Sequence, residues 1–154
     1  MEPITMTPLG VVRTGRADVE DDGWNDVVST IELDAGVLAP SATVGLEEFS
    51  HVEVYFVFDR VEAASVCVGA RHPRGRTDWP EVGILAQRAK DRPNRLGATT
   101  CRLESVDGLT LQVRGLDAVE GTPVVDIKPH MTGFAPRGKV EEPSWAAELM
   151  AGYW

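Results

Sequence analysis

The amino-acid sequence predicts an all-β protein: a small antiparallel β-barrel of about seven strands with a short C-terminal helix. Three observations predict it. Short runs rich in Val, Ile, Thr and aromatic residues recur along the chain, separated by segments containing Gly, Pro and Asp. One pair of alternating runs flanks an Asp-Gly dipeptide, the mark of a hairpin. Helical spacing of apolar residues is confined to the end of the chain. A barrel suits this pattern because closure removes unpaired strand edges. The 154 residues suit one domain, 1–154, with a sizeable core.

The elements follow in order. "PLGVVRT" reads as a first strand, and the acidic "ADVEDDGWND" as a loop. "VVSTIELD" carries β-branched residues in partial alternation, as a second strand does. Pro40 interrupts the mixed segment that follows, with a short helical turn before Phe49. "HVEVYFVFD" is the strongest strand signal, apolar enough to be buried over most of its length. "ASVCVGA" and "EVGILAQR" read as further strands around the loop "RHPRGRTDWP". "ATTCRLESV" and "LTLQVRGL" then form a hairpin across Asp107-Gly108, a favoured I′ turn. Leu109, Leu111 and Val113 face one side of the second arm, and Thr110, Gln112 and Arg114 the other. "TPVVDIKPH" is the last strand. Pro143-Ser144 starts a helix with Trp145 and Leu149 on one stripe.

Charge is unevenly distributed. The net charge is −9, yet residues 71–102 hold 8 basic and 3 acidic side chains, whereas residues 1–70 hold 3 basic and 13 acidic. Either one cationic surface sits in an anionic shell, or these arginines pair with acids elsewhere in the fold. No apolar run is long enough for a membrane-spanning helix, and "MEPITMTPLG" is too short and polar for a signal peptide. A cytoplasmic protein without membrane contact is expected. Cys67 and Cys101 read as small buried hydrophobes in strands. The three histidines are scattered, and no metal site is expected.

Three segments carry candidate chemistry. In "DIKPH", Asp126 and Lys128 project to one side of a strand, as a local ion pair or as a charged rim to a cleft. In "GLDAVEGTPVVD", Gly115 and Gly121 bracket a loop whose backbone can approach a flat ligand. In "QRAKDRPNRLG", Arg88, Lys90, Arg92 and Arg95 crowd together as phosphate or carboxylate ligands do; a solvated loop is the plainer reading. A G-x-G-x-x-G turn, a Walker lysine and a G-x-S-x-G elbow are all missing, so the residues alone name no reaction.

Read in order, "EEFSHVEVYFVF", "VGILAQRAKDRPNRLG" and "VRGLDAVEGTPVVDIKPH" resemble the TsaA/TrmO family of S-adenosylmethionine-dependent methyltransferases, over about Leu9 to His130. The resemblance implies a small barrel enzyme working as a homodimer, with S-adenosyl-L-methionine near the dimer interface and no metal. It implies N6-methylation of threonylcarbamoyladenosine beside the tRNA anticodon. The donor site implied is Arg88, Ala98, Leu116, Asp117, Ala118 and Val119; Asp59 and Arg60 stand where relatives carry a His-Gln pair. Asp126, then Asp59, are the expected catalytic carboxylates. Arg71, Arg74, Arg92, Arg95 and Lys128 are the expected acceptor-binding cations. Several positions depart from the pattern: Gln87 for Thr, Arg95 for Pro, Asp59 for His, and "VEDDGWND" in place of a "PRQ" segment. The acceptor is therefore open between tRNA and a small anionic metabolite, with a non-enzymatic donor-binding module as the third reading.

Overall fold

The computed structural model describes residues 2–14 and 16–154. Its strands are β1 (Gly10–Thr14), β2 (Val28–Leu33), β3 (His51–Val57), β4 (Ala70–Arg71), β5 (Val82–Gly83), β6 (Leu96–Asp107), β7 (Thr110–Arg114) and β8 (Pro123–Pro129), and its helix is α1 (Ser144–Met150). Six strands close a barrel in the order β1-β2-β7-β6-β3-β8, every pair antiparallel. The expected barrel and C-terminal helix are present. Two expected strands are not part of the barrel: "ASVCVGA" and "EVGILAQR" contribute only the two-residue ribbon β4–β5. Their apolar residues mislead because Val68 and Leu85 point to solvent, 82% and 81% exposed. Cys67 accordingly lies half-buried outside any strand, while Cys101 is buried in β6 as expected.

The core lies inside the barrel. Val12, Ile31, Val54, Phe56, Leu111, Val113 and Val124 are essentially inaccessible to solvent. β3 alternates, with Val52, Val54 and Phe56 buried and His51, Glu53 and Tyr55 half-buried, so the apolar run "VYFVF" hides one buried face rather than a fully buried strand. Phe56 meets Phe58 edge-to-face at 5.2 Å. Gly97 faces it across the barrel wall, where a Cβ would stand 2.5 Å from the Phe56 ring. That position takes only glycine unless the ring moves.

The β6–β7 hairpin turns at Gly108-Leu109, because Asp107 already pairs with Thr110. Of these residues Gly108 alone has positive φ, 54°, which a II′ turn needs; the expected I′ turn needs two. A bulge in β8 follows from the register, since Tyr55 pairs with Asp126 but Phe56 with Val124. The bulge lets Val124 and Ile127 both reach the core while Asp126 and Lys128 stay together outside.

Candidate functional site

The loop between β7 and β8 is built by its own sequence. Gly115 and Gly121 take φ of 80° and 86°, which side-chain-bearing residues rarely adopt. Between them Leu116 and Ala118 bury themselves in the core, turning Asp117 and Val119 the other way. Backbone bonds fix both ends: Gly115 N–H donates to Val27 O (3.0 Å) and Gly121 N–H to Val12 O (2.9 Å). Arg60 adds a brace, donating to Ala17 O and Glu120 O at 2.6 Å each.

Asp117 is the centre of the arrangement. One carboxylate oxygen accepts from Thr99 Oγ1 and the other from the Tyr153 hydroxyl. Among the described residues no lysine, arginine or histidine forms an ion pair with it. Tyr153 arrives from the C-terminal tail. That tail is docked by Gly23 N–H to Gly152 O (3.0 Å) and Trp24 N–H to Tyr153 O (2.9 Å). Trp79 Nε1 donates to Glu148 at 2.8 Å and anchors α1 above it. Burial, then the Asp117 charge, pushes the Tyr153 phenol well above its ordinary range, so it stays a proton donor; Arg88 and Arg74 pull weakly the other way. Cys101 is pushed up to about 12, by burial and then by Asp117, and is no nucleophile at neutral pH.

The structure thus brings Arg88, Ala98, Leu116, Asp117 and Ala118 together. Arg88 Nη2 donates to Ala98 O at 2.5 Å, and Thr99, next in β6, holds Asp117. Val119 is half-buried in the same loop. Asp59 and Arg60 lie just past the end of β3; Asp59 is exposed, and Arg60 meets the far end of the loop. Asp126 is on the outer face, in a cross-strand row with Tyr55 and Ala98, two strand spacings (about 10 Å) from the latter. It pairs with Lys128 at 2.5 Å and accepts from Ile127 N–H at 2.9 Å. The pairing raises the Lys128 pKa.

The cations expected to bind the acceptor also make framework contacts. Arg71 pairs with Asp91 at 3.1 Å, and Arg74 with Asp22 at 2.7 Å. Arg92 donates to Gln87 O at 3.0 Å and Arg95 to Val61 O at 2.8 Å. The structure divides between the two readings of the charge asymmetry: Arg74 and Arg102 reach acids outside the segment, Asp22 and Glu104, whereas Arg88, Arg92 and Arg95 donate to carbonyls, which fixes their position without cancelling their charge. Gln87 itself, buried, donates to Arg71 O and Val82 O and so holds the β4–β5 ribbon.

A pocket of about 390 Å³ opens beside the loop, bordered by Gly115, Cys101, Arg102, Arg114, His51 and Trp154. Sequence reasoning missed Thr99, Tyr153, His51 and Trp154. Thr99 sits inside a plain strand pattern, and nothing local marks the tail as a wall of the site. "VEDDGWND", read as an acidic loop and as a departure from the family pattern, is the segment that docks the tail. Among the described residues no group of three or more His, Cys, Asp or Glu is placed to hold a metal ion, and no helix is long and apolar enough to cross a membrane.

Fold and site together define a closed antiparallel barrel carrying a glycine-bracketed loop centred on a carboxylate. Residues 19–135 match the family model of the tRNA-methyltransferase O N-terminal domain, and the chain belongs to that family. It is 37% identical over 100 residues to the Homo sapiens tRNA (adenine(37)-N6)-methyltransferase, covering 65% of this chain but 22% of that protein. It is 37% identical over 132 residues to a Methanothermobacter thermautotrophicus protein named "Probable S-adenosyl-L-methionine-binding protein", covering 82% of this chain and 90% of that one. Its fold superposes on the crystal structure of TrmO from Pseudomonas aeruginosa with a TM-score of 0.72 at 26% identity, over 91% of this chain and 62% of that one. The chain spans only about a fifth of the length of its mammalian relatives.

Proposed function

We propose that this chain transfers a methyl group from S-adenosylmethionine to the N6 nitrogen of the adenine at position 37 of tRNA. The observation that carries the reading is Asp117: a half-buried carboxylate on the family's loop, oriented by two hydroxyls and left without a cationic partner among the described residues. Such a group suits a positively charged ligand. The half-buried small residues Ala98 and Gly121 leave room near the loop for a flat nucleoside. S-adenosylmethionine, when bound, supplies a methyl group already activated by the sulfonium.

Arg88, Ala98, Leu116, Asp117, Ala118 and Val119 hold the donor in this reading, with Asp59 and Arg60 at its far end. The remaining task is to place the acceptor nitrogen in line and to accept its proton. Asp59, exposed at the end of β3, and Asp126, on the outer face, are the carboxylates proposed for that proton. Asp126 needs Lys128 to swing away first, because the two are ion-paired. The active form is proposed to be a homodimer, which light scattering at working concentration tests.

The test is incubation of purified chain with isotopically labelled S-adenosylmethionine and tRNA that carries threonylcarbamoyladenosine at position 37 without an N6-methyl group. Label in N6-methylated adenine at position 37, abolished by ribonuclease treatment of the acceptor, is the expected result. Label transferred only to small molecules in extract replaces the tRNA with a metabolite acceptor. No transfer to any acceptor, with donor binding intact, reduces the chain to a donor-binding module.

A further inference from the structure

We infer that the pocket between the β6–β7 sheet and the C-terminal Trp154 is a nucleotide subsite, taking one splayed-out base with its phosphodiester. This rests on the reading above that the acceptor is RNA. Three observations point to it.

The first is chemistry left over. Arg102 and Arg114, cross-strand partners on β6 and β7, both turn Nε toward the same carboxylate oxygen of Glu104, at 3.8 and 2.6 Å. Their terminal Nη atoms have no hydrogen-bond partner among the described residues. Glu104 and, farther off, Asp26 offset part of the charge of the two guanidinium groups, and the unshared Nη donors suit the oxygens of a phosphodiester. The arginines of residues 71–95 differ in that each donates at least one Nη–H to a protein carbonyl or carboxylate.

The second is an aromatic wall. Trp154 is 50% exposed although its ring is large and apolar, and it meets Tyr153 edge-on at 4.9 Å. Stacking on such a ring is how proteins hold an unpaired base without reading its identity. His51 adds a second ring to the rim, its Nδ1 2.8 Å from Ser50 Oγ.

The third is place and size. The pocket, about 390 Å³, has the volume of a small-ligand site and no room for a duplex. Gly115, on its border, directly precedes Leu116-Asp117. Cys101, also on its border, is two residues from Thr99, about 7 Å along the strand. An occupant of the pocket therefore abuts the loop proposed for the donor. The subsite also answers the overall charge of −9: a single nucleotide is held locally, where a broad cationic face is lacking.

The test uses adenosine 5′-monophosphate as probe, titrated calorimetrically into full-length chain saturated with S-adenosylhomocysteine so that the donor site is filled. Binding is expected, weakened about ten-fold by Trp154→Ala and by Arg102→Ala, and unchanged in Lys139→Ala. In methyl-transfer assays the same two variants are expected to raise the KM for tRNA about ten-fold while leaving the KM for S-adenosylmethionine unchanged. Probe binding that is absent in the wild type, or insensitive to both substitutions, overturns the subsite. So does an unchanged tRNA KM in both variants, and in that case the tRNA methylation itself stands. Probe binding that depends on Trp154 and Arg102, in a chain that methylates no RNA, sinks the acceptor assignment and leaves the subsite intact.

Discussion

Two groups of arginines divide the molecule. The loop segment 71–95 holds 7 of the 15 basic residues and commits many of their donors to the framework: Arg71, Arg74, Arg92 and Arg95 tie loops to Asp91, Asp22, Gln87 O and Val61 O. The β6–β7 pair, Arg102 and Arg114, carries no motif in sequence yet keeps its terminal nitrogens available. Local density of charge says how much cation a segment carries. Which carbonyls and carboxylates the fold places within reach decides whether that charge faces a ligand. In a chain of net charge −9 the difference matters, because a polyanion is held best where several guanidinium donors remain unshared.

The largest expected effect concerns the carboxylate at the centre of the site. Asp117→Asn keeps its shape and removes its charge; affinity for S-adenosylmethionine is expected to fall by about 30-fold or more, measured by calorimetry. Next come the framework arginines. Arg95→Ala removes the donor to Val61 O and is expected to cost about 1–3 kcal/mol of stability in denaturant unfolding, whereas Arg102→Ala leaves the midpoint unchanged. An equal loss in both would erase the division between the two groups. Tyr153→Phe keeps the ring and deletes one hydrogen bond to Asp117; about ten-fold weaker donor binding with an unchanged melting temperature is expected. Tighter binding would instead make the tail a plug. Smaller still is the salt response: Arg102→Ala is expected to reduce the slope of log affinity for RNA against log salt by about 1.

A last, small effect is pH-dependent. The His130 ring and then the Tyr55 hydroxyl hold Glu53 below the usual carboxylate range. A depressed carboxyl contributes stability that is present above its unfolded pKa and is lost as pH falls through the folded value. The destabilisation caused by Glu53→Gln is therefore expected at neutral pH and to vanish under acid, in paired unfolding curves.

Local signals carried the barrel. β1, β2, β3, the β6–β7 hairpin and β8 each announce themselves through β-branched residues and alternation, and Pro143-Ser144 marks the start of α1. The glycine pair around Leu116–Glu120 was legible for the same reason, since positive φ leaves a trace in composition. The ribbon β4–β5 was overcalled because Val68 and Leu85 look like core residues until their exposure is seen. The bulge in β8 and the single positive φ of the hairpin turn depend on pairing register, which one strand does not encode alone. The docking of Tyr153 against Asp117 and Trp24 links segments far apart in sequence, and no periodicity reports such contacts. The fates of Arg88, Arg92 and Arg95 were hidden likewise, because their partners are backbone carbonyls, which every residue type supplies equally.

The most direct measurement of the central claim is calorimetric titration of S-adenosylmethionine into the wild-type chain, the Asp117→Asn variant and the Arg102→Ala variant, side by side. The account predicts saturable binding in the wild type, its near loss in Asp117→Asn, and full retention in Arg102→Ala. Binding that survives undiminished in Asp117→Asn, or that never occurs in the wild type, contradicts it.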